Sequence, residues 1–223
     1  MKKILYFISV IVLSGAVVSC APRGGDRTSE MIEKLELGQI PEEVDIFIVN
    51  TSQSKVAWEG KKITGSGHDG VIALKSGELY SYDGTLIGGK IVIDMTRITV
   101  LDIEDPGSNA RLKGHLESDD FFSVATYPES QLDIVEFKPV DGAVAGAPNY
   151  RVSGNLTIKG ITHGITFDAI INQTENRIHS VADFEFDRSK YDVRFGSGRF
   201  FENLGDNLIL DAIELDIELV ASK

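Results

Sequence analysis

The sequence predicts an all-β protein, an antiparallel sandwich or barrel with one short helical insert. Three observations carry this. From Ile209 to Leu219, one face holds Ile209, Ile213, Leu215, Ile217 and Leu219, and the other holds Glu214, Asp216 and Glu218. Period two with charge on one side is a half-buried antiparallel strand. The same alternation recurs in short runs separated by turn dipeptides, among them Asp83-Gly84, Asp141-Gly142, Lys159-Gly160 and Glu175-Asn176. Finally, the regular alternation of strand and helix that would make a parallel sheet is missing.

Taken in order, the predicted strands are Ile46–Val49, Lys55–Ile63, Gly70–Leu79, Thr85–Asp94, Gln131–Lys138, Tyr150–Ile158, Ile165–Ile171, Arg177–Phe186, Asp192–Phe195 and Ile209–Leu219. Asp211 interrupts the apolar face of the last one and is expected at a rim. The stretch 109–125 departs from the pattern. Leu112 and Leu116 are four apart, and Ser118-Asp119-Asp120 reads as a helix start, a hydroxyl cap followed by carboxylates that the helix dipole favours. A short helix, a kink and a second helical turn are expected there, placed to plug or lid one barrel end.

The N-terminus reads as a lipoprotein leader. Lys2 and Lys3 precede the apolar run 4–13, and small residues lead to Val17-Val18-Ser19-Cys20. The run is shorter than the roughly 20 apolar residues a membrane span needs. Cys20 is the single cysteine of the chain, so no intramolecular disulfide is available. Residues 1–19 are expected to be cleaved and Cys20 to carry two or three acyl chains, enough for stable anchoring. Ala21 rather than Asp follows Cys20, which favours the outer membrane, with the domain in the periplasm or at the cell surface. Residues 20–43 then form the lipidated cysteine and a flexible tether, with a weakly amphipathic helical turn or two within 30–37. The β domain occupies 44–223.

Composition narrows the function. The formal charge is −12, and falls by two more once Lys2 and Lys3 leave with the leader. Nucleic acid is therefore not an expected partner. The histidines at 68, 115, 163 and 179 form neither a His-x-His pair nor a His-Glu-x-x-His motif, so no metal site is expected. Gly65-Ser66-Gly67 and Gly196-Ser197-Gly198 are turns rather than a nucleophile elbow. No catalytic residue and no resident cofactor are expected. Aromatic residues spread over many elements, and the glycines at 70, 77, 88, 89 and 154 subtract bulk from the strands. A closed barrel of about eight strands either fills with its own side chains or holds one small ligand, and the glycines favour a cavity.

Several segments, in order, resemble one family. They are Ser54-Lys55-Val56-Ala57-Trp58-Glu59-Gly60-Lys61-Lys62, Gly89-Lys90-Ile91-Val92-Ile93-Asp94-Met95, Lys113-Gly114-His115-Leu116-Glu117-Ser118-Asp119-Asp120-Phe121-Phe122 with Tyr127-Pro128, Val152-Ser153-Gly154-Asn155-Leu156-Thr157-Ile158-Lys159-Gly160, and Asp187-Arg188-Ser189-Lys190-Tyr191 with Phe195-Gly196-Ser197-Gly198. From Val49 to Val220 the chain resembles the YceI-like polyisoprenoid-binding family, in its lipid-anchored Bacteroidetes-type branch. His163 and Gly164 stand where that family often has Lys and Pro. The resemblance implies a lipocalin-like, extended antiparallel β-barrel around an elongated apolar cavity. It implies a long-chain isoprenoid or similar amphiphile as ligand (a quinone, an isoprenoid carrier, a fatty amide) and a homodimer. It also nominates Trp58, His115, Phe122 and Tyr127 as cavity or mouth residues. Two other readings remain open at this point: a filled barrel acting through its surface in the envelope stress response, and a lipid-modifying enzyme using His115 with Asp119 or Asp120.

Overall fold

The computed structural model describes residues 29–223. The leader 1–19 and Cys20 lie outside them. In chain order the strands are β1 (Glu30–Ile32), β2 (Asp45–Val49), β3 (Lys55–Lys62), β4 (Gly67–Tyr82), β5 (Thr85–Val100), β6 (Glu129–Pro139), β7 (Tyr150–Ile158), β8 (Ile161–Gln173), β9 (Arg177–Asp187) and β10 (Ile209–Ser222). One helix, α1 (Pro106–Glu117), lies between β5 and β6. Every pairing is antiparallel. The path β3-β4-β5-β6-β7-β8-β9-β10 returns to β3 and closes an eight-stave barrel. β2 and β3 share one stave, since both lie between β4 and β10. Closure removes the unpaired edges that an open sheet would leave, except along the β8–β9 seam.

The tight turns are those the dipeptides predict. Asp83-Gly84 joins β4 to β5, and Lys159-Gly160 joins β7 to β8. All four residues have positive φ, the conformation of a two-residue hairpin turn. β4 and β5 run past their expected ends, across irregularities at Ile72/Ala73, Leu74/Ser76 and Tyr80/Ser81 that break the inward and outward alternation. The sequence period breaks there while the pairing continues.

Four expectations need correction. The segment 30–37 is not helical. β1 pairs with β8, Met31 packs on the core, and the buried Asn155 side chain holds both the N–H and the C=O of Leu35 at 2.8 Å. Part of the expected tether is thus built into the barrel. The cause is a splayed seam: β8 and β9 pair only through Ile170–Gln173 and Ile178–Val181. Farther along, β1 satisfies the free edge of β8, and Ser29 Oγ donates to Glu185 O on β9.

Second, α1 begins earlier than expected. Asp105 is its N-cap, accepting from Ser108 N at 2.8 Å, and Pro106 occupies the first turn. Ser118 ends this helix: its hydroxyl donates to His115 O at 2.7 Å. The same oxygen accepts from Asp120 N at 3.3 Å, so Ser118 also starts the turn that follows. Third, 192–195 is no strand, because Asp192 has φ 58° and ends a 3-10 turn over Arg188–Tyr191. Fourth, the strand glycines make room for neighbouring strands and side chains rather than for a ligand. A Cβ on Gly70 would lie 1.8 Å from Thr99 O and 2.7 Å from the Trp58 ring, and one on Gly77 would strike Val49 and Ile91.

Candidate functional site

The inward faces of the staves enclose a cavity of about 370 Å³. Its walls follow from strand parity. Ile213, Leu215, Ile217 and Leu219 of β10 face it, as do Ile165, Phe167, Ala169 and Ile171 of β8, and Ala182, Phe184 and Phe186 of β9. The acidic partners on β10 face out, where Glu214 takes Lys61 at 2.6 Å and Glu218 takes His179 at 2.8 Å. Phe167 and Phe184 stack at 4.2 Å across the β8–β9 seam.

The two barrel ends differ. At the end holding the β4–β5 turn, Leu79, Leu86, Phe137, Val152 and Ile178 line the cavity, and nearby Phe47 is fully buried under Lys223, whose Nζ lies 5.3 Å from its ring. This end is closed and, apart from Ser180, apolar. At the opposite end the lining includes Lys61, Lys62 and the exposed Ser66, Gly67 and His68. The cavity therefore opens to solvent beside the β3–β4 turn. His68 Nδ1 and Asp102 Oδ2 are 2.7 Å apart and tie that turn to the end of β5. Partial burial would raise the Asp102 pKa, but the hydrogen bonds from His68 and from Asp69 N outweigh it and hold the carboxyl below its ordinary value. On the other side of the opening α1 and the turn after it supply Leu112, Leu116, Phe121 and Phe122.

The nominated residues separate into two groups. Trp58 and Phe122 line the cavity; His115 and Tyr127 do not. Trp58 is buried, and its indole Nε1 is without a hydrogen-bond partner among the described residues. The His115 ring sits edge-on to Phe121 and Phe195, at 4.9 and 4.4 Å, and its Nε2 is 3.1 Å from Asp120 Oδ2. This holds the lid together from outside. Tyr127 is partly exposed and lies over Gly160. The carboxylates considered with His115 share its position off the cavity, so the pair faces no enclosed substrate volume. Among the described residues no cluster of histidine, cysteine and carboxylate side chains could hold a metal.

Sequence reasoning missed Arg188. It follows β9 directly, is 1% exposed, and lines the cavity. Its guanidinium donates to the carbonyls of Leu210 (3.1 Å), Val193 (3.1 Å) and Ile209 (3.2 Å). Asp211 Oδ1 lies 3.5 Å away, close enough for an ion pair but outside hydrogen-bond geometry. Burial lowers the Arg188 pKa, and Asp211 and Asp187 oppose that shift. Burial, with a contribution from Asp187, raises the pKa of neighbouring Tyr191. The signal was present in Asp211, the single acidic break in an otherwise apolar face. It marks the counter-ion of a buried cation.

A closed antiparallel barrel with an apolar interior and one polar mouth belongs to the class of β-barrels built around a small-molecule cavity. Residues 47–221 match the family model of the YceI-like domain, and the chain belongs to that family. Solved structures share the fold, two of them as follows. BcnA of Burkholderia cenocepacia superposes with a TM-score of 0.59 at 21% identity, over 78% of this chain and 99% of that one. A polyisoprenoid-binding domain from Saccharophagus degradans, implicated in plant cell wall breakdown, gives 0.58 at 18% identity, over 79% and 97%. At these identities the likeness establishes the fold alone. No curated protein matches the chain significantly.

Proposed function

We propose that this protein is an envelope lipoprotein that holds a long-chain isoprenoid or similar amphiphile inside its barrel, for storage, transport or shielding. The observation that carries the reading is the cavity itself, apolar along its length and polar at one mouth. Its volume of about 370 Å³ lies within the ~300–1,000 Å³ typical of ligand pockets, which argues against a barrel filled by its own side chains. The polarity gradient sets the orientation. A tail enters toward Phe137 and Ile178, and the head group stays near Lys61, Lys62 and His68. Each buried methylene stabilises by about 0.8 kcal/mol, so one isoprene unit contributes about 3–4 kcal/mol. Association costs about 4–15 kcal/mol, which a few units offset without a charged clamp. The polyisoprenoid-binding neighbour supports this ligand class. The reading is of a binding module rather than an enzyme, because the His115–Asp120 pair lies outside the cavity. Cys20 supplies the membrane anchor.

Trp58 is the single tryptophan and lines the cavity, so its emission reports occupancy directly. Titration with geranylgeraniol is expected to shift and saturate that emission. Ala169→Phe and Ala182→Leu, both on the cavity wall, are expected to weaken binding at least tenfold while costing no more than about 1–3 kcal/mol of stability. A saturable shift that survives both substitutions would place the ligand elsewhere. The absence of any shift, with no lipid released by solvent extraction, would reject the reading.

A further inference from the structure

We propose that the rim of the cavity mouth is a docking surface for a lipid bilayer, inserted through exposed aromatic side chains and without dependence on anionic lipid. This rests on the barrel being an amphiphile carrier and names the surface with which it exchanges ligand.

Among the described residues the exposed phenylalanines are Phe195, Phe200 and Phe201, at 41%, 40% and 49%, and all lie at this end. Ile63 and Leu101, exposed at 58% and 59%, join them. Backbone hydrogen bonds make these one continuous rim. Ile209 N donates to Gly196 O (2.8 Å), Ile63 N to Leu208 O (2.9 Å), and Leu101 N to Asp69 O (2.9 Å). Phe201 N donates to Ser197 O (3.1 Å), which holds the 197–201 turn beside Phe195. The rim borders the opening: Ser66, Gly67 and His68 line the cavity between Ile63 and Leu101, and the Phe195 ring is 5.5 Å from that of Phe121, which lines it. A cluster of large apolar groups beside the opening of an apolar cavity marks a contact surface, and aromatic side chains suit the interfacial layer of a membrane.

Charge and chain length choose the occupant. The arginines of the rim are neutralised locally: Arg194 pairs with Asp192, and Arg199 Nη2 is 3.1 Å from Asp187 Oδ2 with its Nε 3.7 Å from Asp211 Oδ2. Glu202 and Asp206 lie on the same loop, and the whole chain carries −12. Of the lysines at the mouth, Lys61 is held by Glu59 and Glu214, and Lys62 stands against this acidic background, so anionic head groups add little and apolar insertion must supply the affinity. The tether also permits it. Ser29 is fastened at Glu185 O, which is level with Glu214 on β10. From Glu214 to Ile209 at the mouth is about 17 Å along the strand. The chain between Cys20 and Ser29 can extend about 30 Å, enough for the acyl anchor and the rim to meet one membrane plane.

The test uses the chain from residue 20 with Cys20→Ser, so that acylation does not mask weaker contacts. Co-sedimentation is measured with vesicles of phosphatidylcholine and phosphatidylethanolamine, with and without phosphatidylglycerol. Retention of a dansylated farnesyl probe and sedimentation velocity are measured alongside. Binding to neutral vesicles is expected, unchanged by salt or phosphatidylglycerol, and reduced at least tenfold in the triple variant Phe195→Ser, Phe200→Ser, Phe201→Ser. The milder pair Phe200→Ser, Phe201→Ser, which leaves the His115 packing intact, is expected to follow in the same direction. Both variants should retain the probe. Vesicle binding equal in parent and variants, or absent in all, overturns the proposal. So does a dimer that the substitutions convert to a monomer, since the patch would then bind a second copy. Loss of probe binding in the parent with rim-dependent vesicle binding intact would instead overturn the carrier reading and leave the docking surface standing.

Discussion

Arg188 shows how one buried charge organises a barrel end. Its guanidinium reaches three carbonyls on two chain segments, the turn after β9 and the start of β10, and meets Asp211, the one acidic position on the inward face of that strand. Removing one member of such a group leaves the others desolvated and unpaired. Arg188→Ala is expected to destabilise the fold by about 3–5 kcal/mol, measured by urea unfolding. A loss below about 1 kcal/mol would mean that water replaces the guanidinium at little cost. Asp211 was legible as an oddity in the sequence, a carboxylate among isoleucines and leucines. Its partner was not, because Arg188, in the turn after β9, and Asp211, on β10, meet only after β9 and β10 pair.

At the scale of elements, β1 is the informative case. Residues 29–35 lie upstream of the matched domain, which starts at residue 47, yet they close the splay between β8 and β9. Their sequence has too few apolar positions to announce a strand, and three residues make no periodic signal. What holds them is an existing edge together with Asn155. Gly164 is the tight point: a Cβ there would lie 2.2 Å from Glu33 O. Gly164→Val is therefore expected to release β1 while β7 keeps β8 in register. Hydrogen exchange should show lost protection at Glu30–Leu35 and unchanged protection at Val152–Ile158. Protection retained at β1 would mean the backbone shifts to fit the side chain. The helix carries a similar lesson. Asp105-Pro106 is a strong start signal that sets α1 about one turn before the expected 109, and Ser118-Asp119-Asp120, which resembles a start, ends α1 and begins only the turn that follows.

At the scale of the molecule, the acyl anchor, the mouth and the closed apolar end form one proposed arrangement, in which a tethered barrel takes up a lipid tail from the membrane to which it is fixed. Its first requirement is modification at Cys20. Expression in a Gram-negative host with labelled palmitate is expected to label the protein in the membrane fraction, and Cys20→Ser should abolish the label and release the chain from the membrane. A labelled Cys20→Ser chain would move the acylation elsewhere, and an unlabelled parent would remove the anchor.

By itself the sequence determined the class of the protein: antiparallel strands, their order, the two-residue turns, and a β10 face whose apolar residues do line the cavity. Those features are local, set by period two along a strand and by backbone conformations that Asp-Gly and Lys-Gly adopt on their own. The tertiary structure alone decided that the barrel closes, that it stays hollow, and that Trp58 and Phe122 face the inside while His115 and Tyr127 do not. It also decided that the strand glycines serve neighbouring strands, and that Arg188 meets Asp211 at the open end. Each of these depends on which distant residues arrive on the same side of a closed sheet, and the register that brings them there is set by pairing across the whole barrel rather than by any segment alone.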